Sequence, residues 1–441
     1  MNRIKQQTKQ PFMSVRLGVF LALLFGMHAI AGPEIPGAPQ TKPIAIVGAT
    51  IHPVAKPDIS EGTIVFDGGQ ITAIGTDVTI PENAEVIEAA GRHVYPGLFN
   101  TDGVLGLIEI NAVRATDDRG EVGQLNMNVR TEKAINPDSE LIPVTRSGGV
   151  LFNLTAPVRG LIAGTSAVLQ LDGWTTEDMT LKAAAGMHIA WPSINEHPHH
   201  DEHDHDAEDR QADSLRQLDD VFHRAEVYRD ARSGNPDQPI DLRWEAMLPV
   251  LRGDVPIVAA AHSASQMQSA IAFANRRKLK LIIYGGNDAE EVAPLLRGQN
   301  VPVIISGVYR LPRRRDAPYD HAYTLPERLR KAGVPFCIAG SARFDASNIR
   351  NLPYHAAMAI AFGLPKQEAL KAITLSPAKI LRVDDKVGSL EAGKHASLIV
   401  TDGDIFDTAT NVTHAFVQGR AVDLDDRHKR LYRKYEARQK Q

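Results

Sequence analysis

Between residues 255 and 339 the chain repeats one pattern, a short apolar run followed by a longer segment of helical composition. The runs at 257–261, 279–284, 301–305 and 335–339 have strand length, and helices fit at 265–276, 289–296 and 325–332 between them. Strands that alternate with helices specify βαβ units and a parallel sheet, because a parallel neighbour needs a long crossover. Towards the N-terminus the pattern continues with strands near 94–100, 149–154, 167–171 and 188–191, and helices near 215–232 and 242–251. Eight strands in this order predict an α/β fold with a (β/α)8 TIM-type barrel over residues 93–382.

The rest of the chain is shorter-wavelength. Segments 45–47, 63–66, 70–74 and 85–88 alternate at the period of a strand, and Asp67-Gly68-Gly69 is a hairpin turn between two of them. Segments 396–401 and 412–417 repeat this at the far end, again with Gly turns. Residues 425–441 are strongly charged and predict a terminal helix with a solvated face. At the start, Arg3, Lys5, Lys9 and Arg16 precede an apolar stretch at 17–30, too short to span a bilayer comfortably, and Ala29-Ile30-Ala31 fits a cleavage site. The expectation is a signal peptide at 1–31, a Pro/Gly-rich linker at 32–43, and a periplasmic or otherwise exported mature chain with no further membrane segment. A single cysteine, Cys337, sits in an apolar run and reads as a small buried hydrophobe, so no intrachain disulfide forms. The formal net charge of −4 gives no reason to expect nucleic acid or an anionic membrane as partner.

Chemistry concentrates at strand ends. The run at 94–99 is broken by Pro96-Gly97 and empties into Asn100-Thr101-Asp102-Gly103, the form of a barrel strand opening its first catalytic loop. This run resembles the first-strand signature of the amidohydrolase superfamily, Pro-Gly-Leu-Ile-Asp-x-His-x-His, then a small residue and Gly. Pro96, Gly97, Leu98 and Gly106 match; Phe99 and Asn100 stand for Ile and Asp; the two metal-binding histidines fall on Asp102 and Val104. Residues 388–394, Gly-Ser-Leu-Glu-Ala-Gly-Lys, are similar to the superfamily's C-terminal signature, and 373–378 to its Thr-x-Asn-Pro-Ala run. The resemblance is to the imidazolonepropionase-like branch. It implies a small composite β-sandwich, built here from 44–92 and 383–424, and a divalent metal, Zn²⁺, held by histidines of strands one, five and six and an Asp of strand eight.

Most of those ligands are absent. The strand-five position falls near Ala260, with His262 two residues on; strand six ends Tyr284-Gly285-Gly286; the strand-eight position is Ala342, with Asp345 three residues later. Asp102, His262 and Asp345 are therefore the candidate catalytic or ligating residues, and Asn100, Tyr284, Arg310 and Arg343 the candidate pocket residues. No metal set is assigned to the barrel. Residues 196–210 form an insertion whose tract EHPHHDEHDHD places His197, His199, His200, His203 and His205 among carboxylates, a loose binder of Zn²⁺, Ni²⁺ or Cu²⁺. Two functions stay open. One is a hydrolase of non-peptide C–N bonds of cyclic amide type, with the usual metal site lost. The other is a non-catalytic periplasmic relative that binds a small molecule or a partner protein, as a homo-oligomer or beside an amidohydrolase paralogue.

Overall fold

The computed structural model describes residues 35–193, 205–235, 237–340 and 346–440. The expected signal peptide, most of the His tract and Arg343 and Asp345 lie outside them. Strands β1 (Ile44–Ile51), β2 (Ile59–Asp67), β3 (Gln70–Gly75), β4 (Glu85–Glu88) and β5 (His93–Pro96) open the chain. Then come β6 (Leu98–Gly103), β7 (Val150–Thr155), β8 (Ile162–Gln170), β9 (Thr180–Ala190), β10 (Ile257–Ala261), β11 (Leu281–Gly285), β12 (Val303–Ile305) and β13 (Phe336–Ile338). Strands β14 (Leu398–Thr401), β15 (Val412–Val417) and β16 (Arg420–Ala421) close it, before a helix at Arg427–Gln439 whose N-terminus is capped by Asp426.

The two ends of the chain share one sheet, ordered β16-β15-β14-β5-β1-β2-β3, with β4 also paired to β1. Its core holds Ile46, Ile64 and Phe66 from the first segment against Leu398, Val400 and Phe416 from the last. The apolar faces of the two segments therefore share one core. The chain leaves this sheet through Gly97, where a Cβ would stand 2.7 Å from that of Leu151, and enters β6 directly.

The second sheet carries β6 to β13 in sequential order and is a nearly closed barrel. From β9 to β13 all pairings are parallel. These strands are buried on both faces, as parallel strands under helices must be. Val258, Ile282, Tyr284, Ile304, Cys337 and Ala339 point into the barrel and form one cluster. Their neighbours Ile257, Leu281, Val303 and Phe336 join the larger core outside it.

One strand departs from the expected alternation. β8 runs antiparallel to both β7 and β9. The loop from β7 to β8 spans only residues 156–161, too short for a parallel crossover, so the chain turns back as a hairpin. The strands expected at 167–171 and 188–191 accordingly begin earlier, at Ile162 and Thr180. At the seam between first and last strands, the Gly340 N–H donates to Asn100 Oδ1 at 2.9 Å, and Thr101 Oγ1 lies 3.4 Å from Cys337 Sγ.

Candidate functional site

At the C-terminal end of β6 the side chains of Asn100 and Asp102 are almost wholly buried, 0% and 3% exposed. Asn100 Nδ2 donates to the Asp102 carbonyl and to Asn153 Oδ1 at 2.7 Å; Asn153 passes the chain on to Thr155 Oγ1 at 2.7 Å, and Thr155 to the Leu105 carbonyl. The Asp102 carboxylate accepts the Tyr284 hydroxyl at 2.7 Å. Two strands that are not neighbours in the barrel wall, β6 and β11, are thus tied to each other. A carboxylate fully withdrawn from water needs such donors, since an unpaired buried charge is strongly penalised.

His262 stands one residue beyond β10, and the backbone around it is pinned. Ser263 caps the helix at Ala264–Arg277 in a reciprocal capping box with Gln266. The Gln266 side chain also accepts the His262 N–H at 2.9 Å and donates to the Trp191 carbonyl. The His262 ring meets the Tyr284 ring edge to face, 6.3 Å between centroids, and its Nδ1 faces Asn287 Nδ2 at 3.4 Å. Gly285, at φ +99°, makes room for that ring, for a Cβ there would overlap Nδ1. Asp102 and His262 therefore both adjoin Tyr284, on its hydroxyl and its ring respectively.

Arg310, five residues past β12, is the most unusual cation of the mouth. Its Nε and Nη2 are shut off from solvent and meet no acceptor among the described residues. Burial pulls its pKa down to about 10, against an opposing attraction from Asp288. Arg314, by contrast, is spent on Glu291 at 2.9 Å. Asn287 Oδ1 is likewise enclosed and meets no donor among the described residues, while the Asn287 carbonyl faces His321 Nε2 at 3.1 Å.

The structure brings together Asn100, Asp102, Tyr284 and His262. It leaves His205 as the first residue of the helix at His205–Gly234. His197, His199, His200 and His203 lie outside the described residues. Sequence reasoning missed Asn153 and Thr155, which complete the polar chain, and His188, buried on β9 beside Val258 of the interior cluster. The signal for His188 was its period-two spacing from Ala190, which pairs with Ala260.

A hydrolytic zinc centre takes three protein ligands with an open fourth position. Among the described residues no three His, Cys, Asp or Glu side chains form such a group. Val104 is an apolar core residue, and the Asp102 carboxylate is engaged by a phenol. The described residues do not fit that centre.

His355, in the helix at Leu352–Ala361, supplies a pH-dependent contribution to the same end of the barrel. Its Nδ1 accepts the Val308 N–H at 3.2 Å, its ring meets Tyr309 edge to face, and burial lowers its pKa to about 4. The unfolded chain takes up this proton near pH 6.5, whereas the fold resists it until about pH 4. Stability from this group is thus complete above pH 6.5 and lost as pH falls towards 4. Urea unfolding at pH 7 and pH 4.5 is expected to differ by about 2 kcal/mol more in the native chain than in His355→Asn, which keeps an acceptor near the Nδ1 position.

The Amidohydrolase family model matches residues 278–422. This match places residues 278–422 in the amidohydrolase superfamily. Amidohydrolase tasK of Hapsidospora irregularis is 22% identical over 402 residues, 83% of this chain and 40% of that protein. The imidazolonepropionase of Maricaulis maris is 32% identical over 117 residues, 26% of this chain and 27% of that protein. The chain thus spans well under half the length of either aligned relative. Among solved structures, an amidohydrolase from Thermotoga maritima superposes with a TM-score of 0.77 at 23% identity, covering 86% of this chain and 99% of that one. Molinate hydrolase superposes at 0.53 with 18% identity, covering 88% and 96%. At these identities the superpositions establish the shared fold, an amidohydrolase-type barrel with a β-rich companion.

Proposed function

We propose that this amidohydrolase-superfamily chain is an exported binder of a small carboxylate-bearing molecule at the barrel mouth, one that has departed from metal-assisted hydrolysis. The observation that carries the reading is the enclosed Nε–Nη2 edge of Arg310. Those two atoms form one side of the guanidinium fork, the side that takes a planar carboxylate with two parallel hydrogen bonds. A buried donor left without a partner costs about 1–3 kcal/mol, and a bound carboxylate would recover it. The Asp102–Tyr284 pair would present a hydroxyl and a carboxylate to the rest of the ligand.

The test is a panel of small carboxylates and their primary amides, followed by the ¹⁵N–¹H signal of Arg310 Nε. Carboxylates are expected to shift that signal and to bind at least ~10-fold better than the amides. Arg310→Lys, which keeps the charge and loses the fork, is expected to remove the preference. Equal binding of acid and amide sinks the reading.

A second reading, hydrolysis of a non-peptide C–N bond as the superfamily resemblance implies, is favoured by the contiguity of Asp102, Tyr284 and His262. Proton transfer between positioned groups needs hydrogen-bond reach, and Asp102 and Tyr284 have it at 2.7 Å. Lactam turnover by metal-stripped protein, abolished in Asp102→Asn, would decide for it. About one metal per chain, retained after removal of residues 196–206, would overturn the departure from metal chemistry.

A further inference from the structure

A cleft of about 820 Å³ opens at the opposite end of the barrel from Asp102 and Tyr284. Pro256, Lys280, Pro302 and Pro335 line it, and each immediately precedes one of the strands β10 to β13. Its apolar wall is Ile271, Leu279, Ile282, Val301 and Ile380. Ile282 belongs to the cluster that fills the barrel, and Ile380 packs against that cluster from below. The polar edge is one-signed. Lys280, Lys379 and Arg382 line the cleft and no Asp or Glu does. Among the described residues the Lys280 and Lys379 ammonium groups meet no carboxylate. Arg382 is held in place, with a left-handed backbone at φ +55° and Nη1 donating to the Gly253 carbonyl at 3.4 Å.

We propose that this cleft is a second ligand site, for a free amphiphilic monocarboxylate whose head lies among Lys280, Lys379 and Arg382 and whose hydrocarbon body covers Leu279, Ile282 and Val301. Three physical points converge. The volume falls in the range of small-molecule sites, roughly 300–1,000 Å³. An apolar floor with cations on one edge matches a ligand with one charged end, since each buried methylene contributes about 0.8 kcal/mol while the head keeps its counter-charge. Residues at this end of such barrels otherwise serve stability, and two exposed lysines that meet no carboxylate among the described residues add little to it.

The probe is decanoate below its micellar concentration, with decanol as the uncharged control, measured by calorimetry on the full chain. Saturable binding of one decanoate per chain is expected, at least ~10-fold tighter than decanol. The doubly substituted Lys280→Glu/Lys379→Glu protein is expected to lose at least ~10-fold in decanoate affinity. Lys280→Met/Lys379→Met, which keeps the apolar stems, should lose less. Both lysines are exposed, so circular dichroism should be unchanged in these variants. Arg310→Lys should leave decanoate binding alone. Equal binding of decanoate and decanol, insensitivity to the glutamate pair, absence of saturable binding, or loss of binding in Arg310→Lys would each overturn the proposal. The last would place decanoate at the mouth instead.

Discussion

Asn100→Leu is expected to cost about 3–4 kcal/mol of unfolding free energy, among the largest effects of any single substitution here. The change is close to isosteric, so it opens little cavity. What it removes is an amide making three contacts in a dry site, to the Asp102 carbonyl, to Asn153 Oδ1 and from the Gly340 N–H. Each partner stays buried and loses its hydrogen bond, and an orphaned buried polar group costs about 1–3 kcal/mol. The Gly340 bond also joins the strand-one side of the barrel to the strand-eight side, so its loss should loosen the seam. Urea unfolding gives the measurement, with Thr101→Val as the comparison. Among the described residues that hydroxyl's hydrogen-bond contact is the Cys337 sulfur, at 3.4 Å, and its removal should cost under about 1 kcal/mol. Similar costs for the two variants would mean that the Asn100 network contributes no more than ordinary packing.

Gly285→Ala is the second large effect, expected at about 2–4 kcal/mol together with displacement of His262. Two penalties combine. A φ of +99° disfavours any Cβ, and the added methyl would overlap the imidazole at Nδ1 and Cε1. The ring is held between Gly285, Tyr284 and Asn287 and its backbone by Gln266, so it has little room to yield. Gly393→Ala separates the two penalties. Its φ is +89° with nothing within 4 Å of the new carbon, so only the backbone penalty applies, about 1 kcal/mol. Chemical unfolding of both variants, with the His262 ring signals followed by NMR, checks the difference. If Gly285→Ala costs no more than Gly393→Ala, the imidazole is free to move and is not a fixed part of the site.

Much of the site was legible because strand ends announce themselves. Asn100 and Asp102 follow an apolar run broken by Pro-Gly, Tyr284 precedes a Gly pair, and His262 follows three alanines before a capping serine. Each motif is local, and the barrel geometry then brings strand ends together at one face. Asn153 and Thr155 were not legible. They sit inside an apolar strand, and nothing nearby in sequence shows that their partners come from β6 and the residues just after it. Arg310 was legible as a cation at the mouth, but not as one with an enclosed edge that meets no acceptor among the described residues. That property depends on what the surrounding chain leaves unfilled.

The sequence by itself determined the α/β class, the order of the strands, the parallel half from residue 255 onward and the resemblance to the amidohydrolase superfamily at its signature motifs. Those follow from hydrophobic period and local motifs, which act over a few residues. Only the tertiary structure decided that β8 runs against its neighbours, because a six-residue loop permits a hairpin whatever the apolar pattern of the strand. It alone also decided that Asp102 ends on the Tyr284 hydroxyl. The two residues are 182 positions apart, and hydrogen-bond satisfaction in a dry interior is a property of the packed barrel, not of either segment.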